Sequence, residues 1–263
     1  MITIQLLRPK ANLPYVRDLL RELIARDLKL RYKRSALGIA WSLVTPLAQI
    51  LIFSLLFNRV LPLNIPNYTA FVFCGVLAWS WFQNSLYAAA GSIVDNRSLV
   101  RRPGFPVAVL PAVTVGTNMI QYLLALPVLL ITLLITGSAL GPTALVLPLL
   151  LALQFLLTLG IAYFIAAAHV GFRDTQHLLS IGLMLLFYMT PVFYRADIVP
   201  PEYQLIYTLN PMTHMLSAYR TILIAGEWPN PLPLGIITIA ASIMLLIGYT
   251  FFRSASDRFV EEV

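Results

Sequence analysis

The chain has 263 residues, 59% hydrophobic and only 11% charged, with a formal net charge of +7 and a mean hydropathy of +0.81. A soluble domain carries about 25% charged residues, so this composition excludes a water-soluble globular protein and points to a bilayer. Nine of the 18 Lys and Arg residues precede Ser35, a juxtamembrane pattern that excludes nucleic acid as the partner.

Met1 to Asn12 is a short basic lead, and no cleavable signal is expected because the first long apolar run begins near Ser35. Pro14 suits the first turn of a helix, where its missing N–H costs nothing. Val16, Leu19, Leu20, Leu23, Ile24 and Leu28 then recur at helical spacing, with Arg17, Asp18, Arg21, Glu22, Arg26 and Lys29 on the other side. This predicts an amphipathic helix over 14–34 lying in the membrane interface, its basic face towards anionic headgroups.

Six apolar spans follow, at 35–57, 69–94, 105–136, 143–170, 176–194 and 232–252. Pro46 predicts a kink in the first. The third would be ~48 Å long as one helix and must tilt, break or protrude from a hydrocarbon layer of ~30 Å. Between the fifth and sixth, 195–231 is the one sizeable polar segment on its side. Its two short helical patterns, 202–209 and 212–225, are each introduced by proline and are too short to span, which predicts re-entrant or surface-lying helices. The sequence therefore predicts an all-α integral membrane protein in one domain: an interface helix, six transmembrane helices and short extracytoplasmic helices.

With the N-terminus inside, fifteen Lys and Arg lie on the cytoplasmic side, against Arg59, Arg195 and Arg220 outside. That asymmetry places both termini in the cytoplasm. The polar connector Asp95 to Pro106, DNRSLVRRPGFP, lies on the same side between two uncharged runs. It reads as the place where a water-soluble partner grips the membrane protein. The short Gly171–Thr175 loop with Arg173 and Asp174 falls on that side too.

Several chemistries are excluded. The three lysines, Lys10, Lys29 and Lys33, follow Pro, Leu and Tyr, so there is no Gly-Lys of a phosphate-binding P-loop and no ATP-driven motor of that type in this chain. No span contains Asp, Glu, Lys or Arg, which argues against proton or sodium coupling. No GxSxG, HExxH or paired carboxylates point to catalysis. His169, Asp174 and His177 would serve a membrane enzyme, but they also suit a polar interfacial turn. No metal site and no bound cofactor are expected, and the single Cys74 forbids an intrachain disulfide.

The spans do carry neutral polar and aromatic groups: Trp79, Trp81, Phe82, Gln83, Asn84 and Tyr87 on the second, Gln121 and Tyr122 on the third, Tyr188 on the fifth. Such groups either hydrogen-bond helices together or line a path for a sugar polymer, whose C–H faces stack on rings and whose hydroxyls need partners. Composition does not choose between the two.

RYKRSALGIAWSLVTPL (31–47), GFRDTQH (171–177), TPVFYRADIVP (190–200) and LNPMTHMLSAYR (209–220) stand in an order and spacing that resembles the ABC-2 type permeases, among them Wzm-type O-antigen exporters and the capsule and teichoic-acid permeases. The resemblance implies a half-transporter. Two copies would form the channel, and two separate P-loop ATPase subunits would hold ATP and Mg. It implies a coupling helix at 95–104 with Asp95, Asn96, Arg97, Leu99, Val100, Arg101 and Arg102, assisted by Arg173 and Asp174, and outer gate helices over 200–225. The cargo would be a polysaccharide linked to a polyprenyl pyrophosphate, leaving the cytoplasmic leaflet of a bacterial inner membrane. Its pyrophosphate would meet Arg31, Lys33 and Arg34 at the entrance. An exporter of another lipid or a drug, an enzyme acting on lipid-linked sugars, and a plain membrane anchor are the other readings.

Overall fold

A computed structural model describes residues 13–33, 38–57, 65–138 and 141–262. Among them there are helices and turns and no strand. The principal helices are α1 (Leu13–Arg31), α2 (Trp41–Leu55), α3 (Tyr68–Gly91), α4 (Arg97–Val100), α5 (Val109–Ile135), α6 (Leu147–Gly171) and α7 (Thr175–Met189). They are followed by α8 (Gln204–Leu209), α9 (Pro211–Arg220), α10 (Pro231–Ala255) and the short α11 (Phe259–Glu262).

Among the described residues, three stretches are long and apolar enough to cross a membrane: Val109–Ile135, Pro142–Gly171 and Pro231–Arg258. They coincide with the predicted third, fourth and sixth spans. The first and fifth correspond to shorter apolar helices, and α3 occupies the second. The third span is shorter than predicted because Pro103 to Ala108 form turns and the helix starts at Val109. Its 27 residues reach about 40 Å. The fifth stops early, at Met189, rather than running to Tyr194. Thr190 is extended (φ −103°, ψ 135°), because the ring of Pro191 crowds the helical conformation of the residue before it.

The start and stop signals in the outer region are local. Asn210 accepts a hydrogen bond from the Met212 N–H through Oδ1 (3.0 Å), with Pro211 in the first turn. Asn230 does the same for Leu232 (2.9 Å), ahead of Pro231. Each asparagine satisfies a backbone donor that an uncapped helix would leave orphaned.

At the centre stands α3, packed against α2, α5, α6, α7 and α9. Phe73, Trp79, Trp81 and Leu86 are each 2% exposed or less. The most extensive pairing joins α6 to α10, and its cause is a pair of glycines. A Cβ on Gly248 would fall on the Gly160 carbonyl, and a Cβ on Gly160 would strike the Met244 and Leu245 backbone. Small residues let two membrane helices approach until their backbones touch, which maximises dispersion contacts where lipid supplies no hydrophobic drive. The periphery is the reverse of a soluble protein's: Leu51, Leu55, Ile135, Leu145, Leu232 and Leu246 are each more than 60% exposed. A surface this apolar on α2, α5 and α10 and on the turn before α6 is solvated by lipid tails, not by water.

The two ends of the bundle are distinct. At one, Tyr163 donates to the Ala108 carbonyl (3.0 Å), so the end of α6 lies beside the 92–108 segment. At the other, Thr143 donates to the Ile222 carbonyl (3.0 Å), near α8 and α9. The 24 residues of α3 put about 36 Å between them.

Candidate functional site

The 95–104 segment contains less helix than predicted. A 3-10 turn at Val94–Asn96 leads into the four residues of α4. Arg101 to Gly104 form a turn, closed at Gly104 with φ +78°, a conformation that costs glycine no Cβ clash. Val100 is buried and Leu99 packs on the core, so two apolar residues anchor the segment. Asp95, Arg97, Arg101 and Arg102 point into solvent, as do Arg173 and Asp174 in the loop after α6. His177 is also exposed, whereas His169 is buried within α6.

Asn96 has another role. Its Nδ2 donates to the Ser92 carbonyl (3.0 Å), and its Oδ1 accepts from Arg26 Nη2 (3.0 Å). The first helix is thereby tied to the cationic segment. Farther along, α1 lies on α5, with Leu23 buried and Ile24 against Gly116, where any Cβ would collide with it. At its end, Arg31 donates to Asn118 Oδ1 (3.2 Å) and the Tyr32 hydroxyl accepts from Gln121 Nε2 (2.9 Å). Lys33 is exposed, and Arg34 lies outside the described residues. One helix thus touches both the cationic segment and the polar groups of α5.

Those polar groups form a seam between α3 and α5. Ser80, Trp81, Asn84, Asn118, Gln121 and Tyr122 converge on a small cavity of about 30 Å³. Trp81 donates to the Val115 carbonyl (3.3 Å), and its ring lies 5.4 Å from that of Tyr122. Trp79, Trp81, Phe82 and Tyr122 are packing residues, each no more than 4% exposed. Trp79 also donates to Gln83 along its own helix. Gln83, Asn84, Tyr87 and Gln121 keep exposed atoms, and Tyr188 on α7 is 62% exposed. The structure therefore splits the aromatic and polar set into a buried half and a half that a second surface can reach.

At the opposite end a larger cavity of about 750 Å³ opens between α8, α9 and the 191–197 turn. Its floor is Arg220, a residue legible in the sequence only as an outer charge. Nη1 donates to the Pro191 carbonyl and Nη2 to that of Val192, both at 2.7 Å, while the guanidinium carbon sits 3.5 Å from the Phe71 ring centre. Burial pulls its pKa down to about 10, so it remains cationic at neutral pH. The glycine that makes room for this clamp is Gly75, whose added Cβ would hit both Val192 O and Arg220 Nη2.

Against this geometry, the sequence matches the family described as ABC-2 type transporter over residues 18–224. It is 36% identical over 253 residues to the O-antigen export system permease protein RfbA of Myxococcus xanthus, covering 94% of this chain and 96% of the relative. A protein of the same description from Klebsiella pneumoniae is 32% identical over 256 residues, covering 97% and 98%. The polysialic acid transport protein KpsM of Escherichia coli is 22% identical over 239 residues, covering 89% and 92%.

Proposed function

The chain belongs to the ABC-2 type transporter family, and from that premise we propose that it is the membrane subunit of an exporter of a polyprenyl-pyrophosphate-linked polysaccharide, driven by separate P-loop ATPase subunits. The observation that carries this reading is the cationic segment at one end of the bundle. Arg97, Arg101 and Arg102 are exposed while Leu99 and Val100 anchor them to the core, in a chain that has no P-loop of its own. Exposed charge on an anchored turn suits docking of a soluble motor. The O-antigen cargo is supported by the names of relatives that align over nearly the whole chain; the likeness to KpsM favours a capsule-type polymer as the second reading.

In the proposed cycle two copies of the chain face each other across the polar seam. ATP and Mg belong to the motor, whose closure pushes on α4. The push reaches the seam by two routes, through α3 directly and through Arg26 and α1 to Asn118 and Gln121. Arg31 bonds Asn118 through Nη1 and lies 4.0 Å from Asp27; its remaining N–H groups would meet the lipid pyrophosphate as charge-assisted donors, with Lys33 and Arg34 near it in sequence. Gln83, Asn84, Tyr87 and Gln121 give a translocating glycan neutral partners without fixed charge, so that it binds weakly enough to move on. The orientation has both termini in the cytoplasm, on the side of the motor.

The test is depletion of the chain in its own cell followed by fractionation of lipid-linked polysaccharide. Polymer trapped inside and lost from the surface is the expected result. Polymer missing from both places would indicate a biosynthetic enzyme, and unchanged surface polymer would reject the cargo.

A further inference from the structure

The cavity at the α8–α9 end is not accounted for by coupling or by the seam. We propose that it is a saccharide-binding site, which holds a sugar unit of the cargo as the polymer leaves the protein; the assignment rests on the export reading above. At about 750 Å³ it lies in the range of about 300–1,000 Å³ typical of small-molecule sites.

Its chemistry separates a sugar from an anion. Arg195 is already paired with Asp197 (2.7 Å), which cancels its charge. The one remaining guanidinium, Arg220, has committed donors to the Pro191 and Val192 carbonyls and its face to Phe71. A site for phosphate or a lipid headgroup needs a cation with its fork free, and both Nη atoms of this one are held by carbonyls. What the walls offer instead is a mixture of neutral donors and acceptors: Gln204 and Thr208 from α8, Thr213 and Ser217 from α9. Thr213 and Ser217 are one helical turn apart, and Arg220 follows on the same face. Tyr207 supplies a ring on the opposite wall. A pyranose needs this pairing of a ring for its C–H face with hydroxyls and amides for its edge.

A second observation marks the site as incomplete alone. Thr213 Oγ1 is buried without a hydrogen-bond partner, and so is Arg220 Nε. Both belong to residues lining this cavity. Buried polar atoms are rarely left unpaired; neither has surface open to the cavity in this structure, so each gains a partner there only by rotation of its side chain.

The test uses the full-length chain with its motor subunits in phospholipid nanodiscs. The probe is the polysaccharide whose surface display depends on this chain, released from its lipid by mild acid, with binding read by saturation-transfer NMR. Ser217→Trp fills the cavity from an exposed position, and Gln204→Ala removes one amide with less bulk. The glycan should bind the unmodified protein, and Ser217→Trp should weaken it about tenfold, the loss expected for a stacked ring and a hydrogen bond. Glycan binding unchanged by both variants, or no glycan binding at all, overturns the assignment. Glycerophosphoethanolamine giving the Ser217→Trp-sensitive signal in place of the glycan overturns it in favour of a headgroup site. If depletion leaves every surface polysaccharide unchanged, the export reading and this site fall together. If a polymer is lost from the surface yet its glycan does not bind here, only the site falls.

Discussion

Arg26 on the first helix and Asn96 in the cationic segment, 70 residues apart, share a hydrogen bond of 3.0 Å from Nη2 to Oδ1. Arg31 at the other end of α1 and Tyr32 just past it are bonded to Asn118 and Gln121, so in the proposed cycle displacement of the segment should move α1 and, with it, the seam. Arg26→Ala should lower the polymer exported per ATP hydrolysed while leaving membrane insertion and motor binding intact. In stability the bond is exposed and worth at most about 1 kcal/mol. A double cycle with Asn96→Ala, read as transport per ATP, should show the second substitution adding little to the first. Fully additive losses would break the link.

Reversing charge at Arg101 and Arg102 leaves the anchors Leu99 and Val100 untouched. Arg101→Glu with Arg102→Glu should abolish recovery of the motor subunits with the chain, while the chain still accumulates in the membrane at its usual level. Normal export by the double variant would remove the 95–106 segment from the coupling role.

Gly248→Ala forces a methyl group onto the Gly160 carbonyl and so drives α6 and α10 apart. The expected loss is about 1–3 kcal/mol, as for overpacking elsewhere, visible as a lower melting temperature in detergent. Gly182→Ala is the matched control, because nothing lies within 4 Å of its added Cβ. It should melt at or slightly above the unmodified protein, since alanine is the better helix former.

The apolar helices were legible in the sequence for a simple reason: hydropathy is a property of single residues summed along the chain. The predicted spans 105–136 and 232–252 overlap Val109–Ile135 and Pro231–Ala255, whereas the asparagine caps at 210 and 230, local as they are, are not among the predicted features. The early end of α7 is missed by the expected 176–194 span, although its cause, Pro191 acting on its own neighbour, is local. What stayed hidden depends on pairs. Gly160 and Gly248 meet across 88 positions of sequence, and neither is unusual where it stands. Arg220 counted as one more outer cation, yet it folds inward onto two other segments, the turn after α7 and α3. Trp79 and Trp81 stood out as aromatic residues at mid-depth, but which face of α3 meets α5 and α6 decides their burial. That face is set by tertiary packing, which periodicity does not encode in a helix apolar all round.

Arg220 closes the turn after α7 by binding two of its carbonyls while resting on Phe71. Arg220→Ala leaves those carbonyls without their donors and should cost about 2–4 kcal/mol, the sum of two charge-assisted bonds discounted for water entering the cavity. Arg220→Lys keeps the charge but not the fork, and its melting temperature should fall between the two. The folded pKa of about 10 lies below the ordinary 12.5. Burial therefore opposes the charged form, and that cost eases only as pH rises through about 10. Between about pH 6 and pH 9 Arg220 should contribute no pH dependence to stability. Melting curves of the unmodified protein and Arg220→Ala should run parallel across that window.

The most direct measurement is ATP-driven movement of lipid-linked glycan into inverted inner-membrane vesicles containing this chain and its motor subunits. Radiolabelled glycan should become protected from external glycosidase only when ATP is present, and vesicles with Arg101→Glu and Arg102→Glu should give none. Equal protection in vesicles that lack the chain, or protection indifferent to ATP, would contradict its assignment as the membrane subunit of a polysaccharide exporter.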